Sequence, residues 1–382
     1  MKTFKFFLTS IFLLCCSVMQ AEVIDGIAYS LNSSKKTAEV CSSSNKYSGD
    51  IIIPETVVYN DITYKVTSIG NSAFNGCSSL TSIDLPEGLT SIGNRAFQYC
   101  SSLDRIYLLG ETPFAYNSSA NIKDYERAII VPESAVETYH TAEGWCDIAN
   151  YITSSERMSQ SIEVTASNSG SSVRSAIGDE LVVGVVDLKI KGTINSYDII
   201  VLNQKMPILH NLDLSEAQIA ACDYPYYSNC CTEDSKLTDY MFRGHSSLRS
   251  VKLPKEMIGD MGSYVFYNCI RLKNVVLPEG ITSIGDRSFS YSSELQSIVI
   301  PNGVTIIGEY AFQVTNLKSI VLPPNLTNIG SYAFVNSNLT EVRLPASLKS
   351  IGSSAFSGCP LTKVYTYTIL PLSELNPKSW TS

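Results

Sequence analysis

Few residues in this sequence are of types that do chemistry, and none stands at a catalytic spacing. The three histidines, His140, His210 and His245, fall in three unrelated contexts, although imidazole is the usual proton shuttle near neutral pH. There is no Gly-x-Ser-x-Gly elbow, no His-Glu-x-x-His, no P-loop and no Gly-x-Gly-x-x-Gly turn. Carboxylates such as Asp286 and Glu309 stand at turn positions, where solvation explains them. His245 sits where other repeats carry cysteine, and is expected to be a satisfied core or edge residue. No catalytic or metal-binding residue is assigned, and no cofactor is expected.

Eleven cysteines fall to nine beyond residue 21, and none forms a Cys-x-x-Cys pair, so a zinc ribbon or thioredoxin site has no support. Cys77, Cys100, Cys269 and Cys359 share one repeat position and are expected to form a ladder of small buried hydrophobes. A disulfide from Cys222 to Cys230 or Cys231 is expected, because both ends lie in one short insertion. Its small loop would contribute modestly to stability.

Recognition chemistry is better placed on a row of positions that flank the central apolar residue of each repeat. These are Ser250 and Lys252, Asn274 and Val276, Ser297 and Val299, Ser319 and Val321, Glu341 and Arg343, and Lys363 and Tyr365. Val276, Val299 and Val321 would form an apolar line on a solvent face, rimmed by Lys252, Lys273, Lys318 and Arg343. Such a line is a candidate protein-binding strip. The competing explanation is that β-branched residues simply suit strands.

The elements that hold this row come from a phrase recurring every 22 to 24 residues. One copy reads Leu80-Thr-Ser-Ile83-Asp-Leu85-Pro86-Glu-Gly-Leu89-Thr-Ser-Ile92-Gly93-Asn-Arg-Ala96-Phe97-Gln-Tyr-Cys100. A fixed period of this length implies a solenoid whose units bury a core only against their neighbours. Leu80, Ile83 and Leu85 describe a short strand with one buried face, ended by Pro86, which has no N–H for a ladder. The strands cannot pair within one repeat, so they should stack in parallel on the next coil, about 4.8 Å away. Phe74 and Phe97, then Phe242, Phe266, Phe289, Phe312, Phe334 and Phe356, mark the register and are expected to fill the core. The glycine after each isoleucine (Gly70, Gly93, Gly285, Gly308, Gly330, Gly352) implies positive φ or close backbone approach between coils.

Along the chain, residues 1–21 read as a secretory signal, with Lys2 and Lys5, an apolar run over 6–16 and the small Ala21 before Glu22. No later run is long and apolar enough to span a membrane. Residues 22–65 read as an N-terminal β cap and first rung, and 66–152 as a first repeat block with a helical cap around 131–145. Residues 153–208 read as a Ser-rich linker and an opening module, 209–365 as a second block, and 366–382 as a short tail. An insertion around 220–236 carries Cys222, Tyr224, Tyr226, Tyr227, Cys230 and Cys231. The formal charge of −8 and pI near 5.1 argue against a nucleic-acid backbone as partner.

The consensus Leu-x-x-Ile-x-Leu-Pro-x-x-Leu-x-x-Ile-Gly-x-x-Ala-Phe-x-x-Cys resembles the BspA-type leucine-rich repeat family of bacterial surface proteins. The resemblance is close over 66–109 and 237–365. Residues 131–145 resemble the cap those proteins carry, and Gly192-Thr-Ile-Asn-Ser-Tyr-Asp198 followed by Leu212-Asp-Leu214 resembles their inter-repeat module. The resemblance implies a β-rich repeat solenoid with short turns and helices: a parallel strand ladder in two capped blocks. It also implies export and adhesion or host interaction, and it carries over no catalytic residue. The expected function is therefore an exported, non-enzymatic binding or adhesion protein whose ladder face holds a protein or glycan. The alternatives are a structural component of a surface assembly, or a glycan-acting periplasmic enzyme, which would need paired carboxylates on one face.

Overall fold

The structure, a computed structural model, describes residues 21–122, 127–156, 162–179 and 181–367. The expected signal segment, apart from Ala21, and the tail beyond residue 367 lie outside the described residues. Among the described residues no helix is long and apolar enough to cross a membrane.

The chain is a leucine-rich repeat solenoid with a parallel ladder on one side of each block. In the first block the central isoleucines pair coil to coil: Ile51 with Ile83, Ile83 with Ile106, Ile106 with Ile129, and Ile129 with Ile152. A β cap closes its start. Strands Glu22–Ile24, Ile27–Asn32 and Thr37–Val40 are antiparallel neighbours, and the last pairs in parallel with Ile62–Ile69. Asn60 and Asp61, both with positive φ, form the two-residue turn that joins Thr56–Tyr59 to that strand. At the far end, helix Val136–Thr141 covers the last coil. Trp145 is fully buried there, ringed by Phe114, Tyr116 and Tyr139 at 5.1–5.4 Å, and its indole N–H donates to Phe114 O at 2.8 Å. Residues 110–127 lack the repeat phrase, and here the buried Arg127 reaches back to the preceding coil. Its guanidinium donates to Phe97 O and Cys100 O, both at 3.1 Å.

Within the expected linker and opening module, Thr153 and Ser154 pair with the first block's ladder, and the described residues from Ile162 to Asp179 fold into the second block. Strand Ile162–Ala166 pairs in parallel with Asp187–Ile194, which pairs with Asn211–Ile219. Helix Ser172–Ile177 buries Val173 and Ile177 against the same core. The apolar residues here are separated by serines and lack the 23-residue phrase, so their partner strand is what makes them legible. Helix Ser196–Gln204 opens with Asn195 and Asp198 in a reciprocal capping box.

The phenylalanines form the spine. Consecutive rings in the second block, from Phe242 to Phe356, stack at 5.2–5.4 Å, as Phe74 and Phe97 do at 5.5 Å. The cysteine ladder is buried except at the half-buried Cys359, and it is more than apolar filling. Cys100, Cys269 and Cys359 donate S–H to Phe74 O, Phe242 O and Phe334 O, and Ser292 makes the equivalent bond to Phe266 O. The repeat glycines keep ordinary negative φ. They are small because the coils touch: a β-carbon at Gly93 or Gly330 would lie 2.6 Å from the amide nitrogen of Asn71 or Glu309. Positive φ falls elsewhere in each coil, on two residues four apart that bracket Ala-Phe, such as Tyr310 and Val314 or Tyr332 and Asn336.

The two blocks meet at a buried polar joint. Asp104 of the first block is 1% exposed and contacts Arg271, Arg249 Nη2 at 2.6 Å and His210 Nε2 at 3.2 Å. Arg271 also donates to Ser101 O at 2.9 Å. Burial pulls Arg271 down to about 10, so it stays charged at neutral pH. Beside this cluster Ala128, Ile130 and Ile208 pack together, with Tyr107 and Val186 against them.

Candidate functional site: the outward face of the strand ladder

The row of outward positions exists because each short strand buries its central residue and turns the flanking ones to solvent. Val251, Val275, Ile298, Ile320 and Val342 point into the core. Lys252 is in register with Asp213 on one side and with Val276 on the other. Val299 bridges to Val321, and Arg343 pairs with Tyr365. Val276, Val299 and Val321 are 56%, 79% and 81% exposed. Three aliphatic side chains therefore stand in water in adjacent coils, at an unrecovered burial value of roughly 1.5–3 kcal/mol each. Around them the ladder thins to the isolated Val299–Val321 bridge, between the strands ending at Asn274–Val276 and beginning at Glu341–Leu344.

The two ends of this line are polar. At one end Lys252 Nζ lies 2.9 Å from Asp213 Oδ2. Partial burial works against ionising Asp213, but the Ser215 hydroxyl and Lys252 outweigh it and hold the carboxyl down to about 2. Asn211 Nδ2 donates to Asp187 Oδ1 at 2.6 Å, and these residues line an open cavity of about 330 Å³ with Lys189 and Ser250. At the other end the Arg343 guanidinium lies 4.6 Å over the Tyr365 ring and 4.0 Å from Glu341. On the rim, Lys273 pairs with Glu294 at 3.3 Å, and Lys318 is exposed. The arrangement presents an apolar centre between two polar ends, each setting a cation beside a carboxylate. The Asp213, Ser215 and Asn211 cluster was missed in the sequence because this rung lacks the repeat phrase around it.

The other chemistry-bearing residues stay apart. His245 is buried, with Nε2 3.0 Å from Leu202 O and Nδ1 3.4 Å from Ser247 Oγ, and burial lowers it to about 4. His210 belongs to the inter-block joint, and His140 lies against Ile152 O at 3.2 Å. Cys222, Cys230 and Cys231 are free thiols. The insertion that carries them is closed by backbone bonds, from Cys222 N to Thr232 O and from Tyr226 N to Cys230 O, rather than by a disulfide. Among the described residues no group of three or more His, Cys, Asp or Glu side chains could hold a metal ion.

Residues 55–137 and 235–363, more than half of the chain, match the family model for the BspA type leucine rich repeat region, in six copies. No curated protein gives a significant match. Among solved structures, the chain is similar to a leucine-rich repeat protein from Bacteroides ovatus at 20% identity and a TM-score of 0.32, covering 93% of this chain and 69% of that one. It is also similar to a leucine rich cell surface protein from Faecalibacterium prausnitzii, at 19% identity and a TM-score of 0.27 over 94% and 97% of the two chains. A third is the pneumococcal vaccine antigen PcpA, at 16% identity and a TM-score of 0.32 over 94% and 89%. The match across both ladders, with the stacked phenylalanines and close-packed glycines that the phrase encodes, makes this chain a member of the BspA-type leucine-rich repeat family.

Proposed function

We propose that this chain is an exported, non-enzymatic binding protein that holds a protein or glycan partner on the ladder face of its second block. The observation that carries this reading is the exposed line Val276, Val299 and Val321 between Lys252 and Arg343. An apolar centre with a charged rim is the anatomy of a recognition patch, because the centre supplies burial and the rim supplies register. The basic, then apolar, N-terminus over residues 2–16 supports export. The test is to screen residues 22–382 against arrayed extracellular proteins and glycans, with Val299→Asp alongside. Saturable binding by the parent chain, weakened roughly tenfold or more by Val299→Asp without loss of fold, is expected. Binding that survives Val299→Asp would remove the line from the site.

A further inference from the structure

A second row, half-buried from Tyr240 to Tyr310 and exposed at Tyr332, runs along the turn side of the second block, on residues that the ladder face does not use. The first left-handed position of successive coils carries Tyr240, Tyr264, Arg287, Tyr310 and Tyr332, all with φ between 54° and 62° except Arg287 at 53°. Their side chains form one stack. Tyr240 lies on Tyr264 at 4.8 Å, the Arg287 guanidinium sits over Tyr264 at 5.6 Å and over Tyr310 at 4.4 Å, and Tyr310 lies on Tyr332 at 4.8 Å. The insertion lengthens this stack. Tyr226 anchors it through Thr238 Oγ1 at 2.7 Å, which sets Tyr227 on Tyr240 at 4.8 Å. Arg243, exposed, then covers Tyr227, Tyr240 and Tyr267 at 5.1, 5.8 and 5.5 Å and bonds the Tyr227 hydroxyl.

We infer that this tyrosine–arginine ridge is a second recognition surface, distinct from the valine line, and that it takes an acidic protein surface. Three features choose that partner. Tyr and Arg are the residues that concentrate binding energy at protein interfaces, and here their rotamers are already fixed by stacking, so little side-chain entropy remains to be lost on association. From Tyr240 to Tyr310 the ring faces are occupied by neighbouring rings and by the Arg287 guanidinium, which leaves edges and hydroxyls outward, and only Tyr332, with Tyr310 on one side, ends the stack. A sugar ring or a nucleic-acid base would need a free face. Finally, neither Arg243 nor Arg287 lies within ion-pair distance of a carboxylate among the described residues, so the ridge is locally cationic although the whole chain is acidic. The acids nearest in sequence serve the backbone: Asp239 accepts from Ser263 N, and Asp286 from Glu309 N, both at 2.7 Å. Carboxylates on an acidic partner would meet both guanidinium groups.

The experiment uses the full mature chain on an array of purified extracellular proteins printed beside a glycan array, at low and high salt. Any protein bound is then titrated against Arg287→Glu, Arg243→Glu and, as a control on the other face, Val299→Asp, with melting curves for each. The expected result is at least one acidic protein bound more weakly at high salt. Its affinity should fall roughly tenfold or more with either arginine change and hold with Val299→Asp. The inference is overturned if no protein binds, if a glycan binds in a way that either arginine change abolishes, or if protein binding ignores both arginine changes in folded variants.

Discussion

At the scale of single residues, burial is the first cause that sets the titration of His245 and His210. His245 and His210 are both lowered to about 4, His245 by burial and His210 by burial and then the Arg249 and Arg105 charges. The native protein refuses these protons, whereas the unfolded chain accepts them near 6.5. Between pH 6.5 and 4 the unfolded state therefore binds more protons, and stability falls as pH drops through that window. Below about 4 both states are protonated and this loss saturates. Urea midpoints across this range should decline in the parent chain and decline less steeply in His245→Gln. Parallel slopes would show that His245 is not buried and neutral in the native state.

At the scale of the coil, the energy lies in contacts between repeats rather than within them. Phe312 stacks on Phe289 at 5.2 Å and on Phe334 at 5.3 Å, so its removal opens a cavity shared by three coils. Phe312→Ala should lower stability by about 3–5 kcal/mol in equilibrium unfolding, and an unchanged midpoint would place Phe312 outside the core. This part of the fold was legible because Leu, Ile, Gly and Phe recur at fixed positions, and the valine line followed from strand alternation alone. The glycine question was left open between two causes, and the structure decides for backbone contact at Gly93 and Gly330. Arg127 and Asp104 were illegible for another reason. Arg127 reaches back 30 and 27 residues to Phe97 O and Cys100 O, and Asp104 meets Arg249 145 residues on, and no local pattern announces such contacts. The strand Ile162–Ala166 was hidden in the same way, because its meaning depends on pairing with Asp187–Ile194.

At the scale of the whole molecule, the joint at Asp104 fastens two ladders that would otherwise be separate stacks. A buried carboxylate held by two arginines contributes little net stability, but it penalises any arrangement that leaves a charge unpaired. The joint thereby fastens the opening rungs of the second block, through His210, Arg249 and Arg271, to the first. The central claim is that the valine line is a site of apolar burial. Titration calorimetry of a captured partner, repeated over several temperatures, tests it most directly, because buried apolar surface gives a negative heat-capacity change. The account predicts a clearly negative value for the parent chain, and both a smaller magnitude and weaker binding when Val276, Val299 and Val321 are all changed to Ser. A heat-capacity change and affinity equal in the two proteins would contradict it.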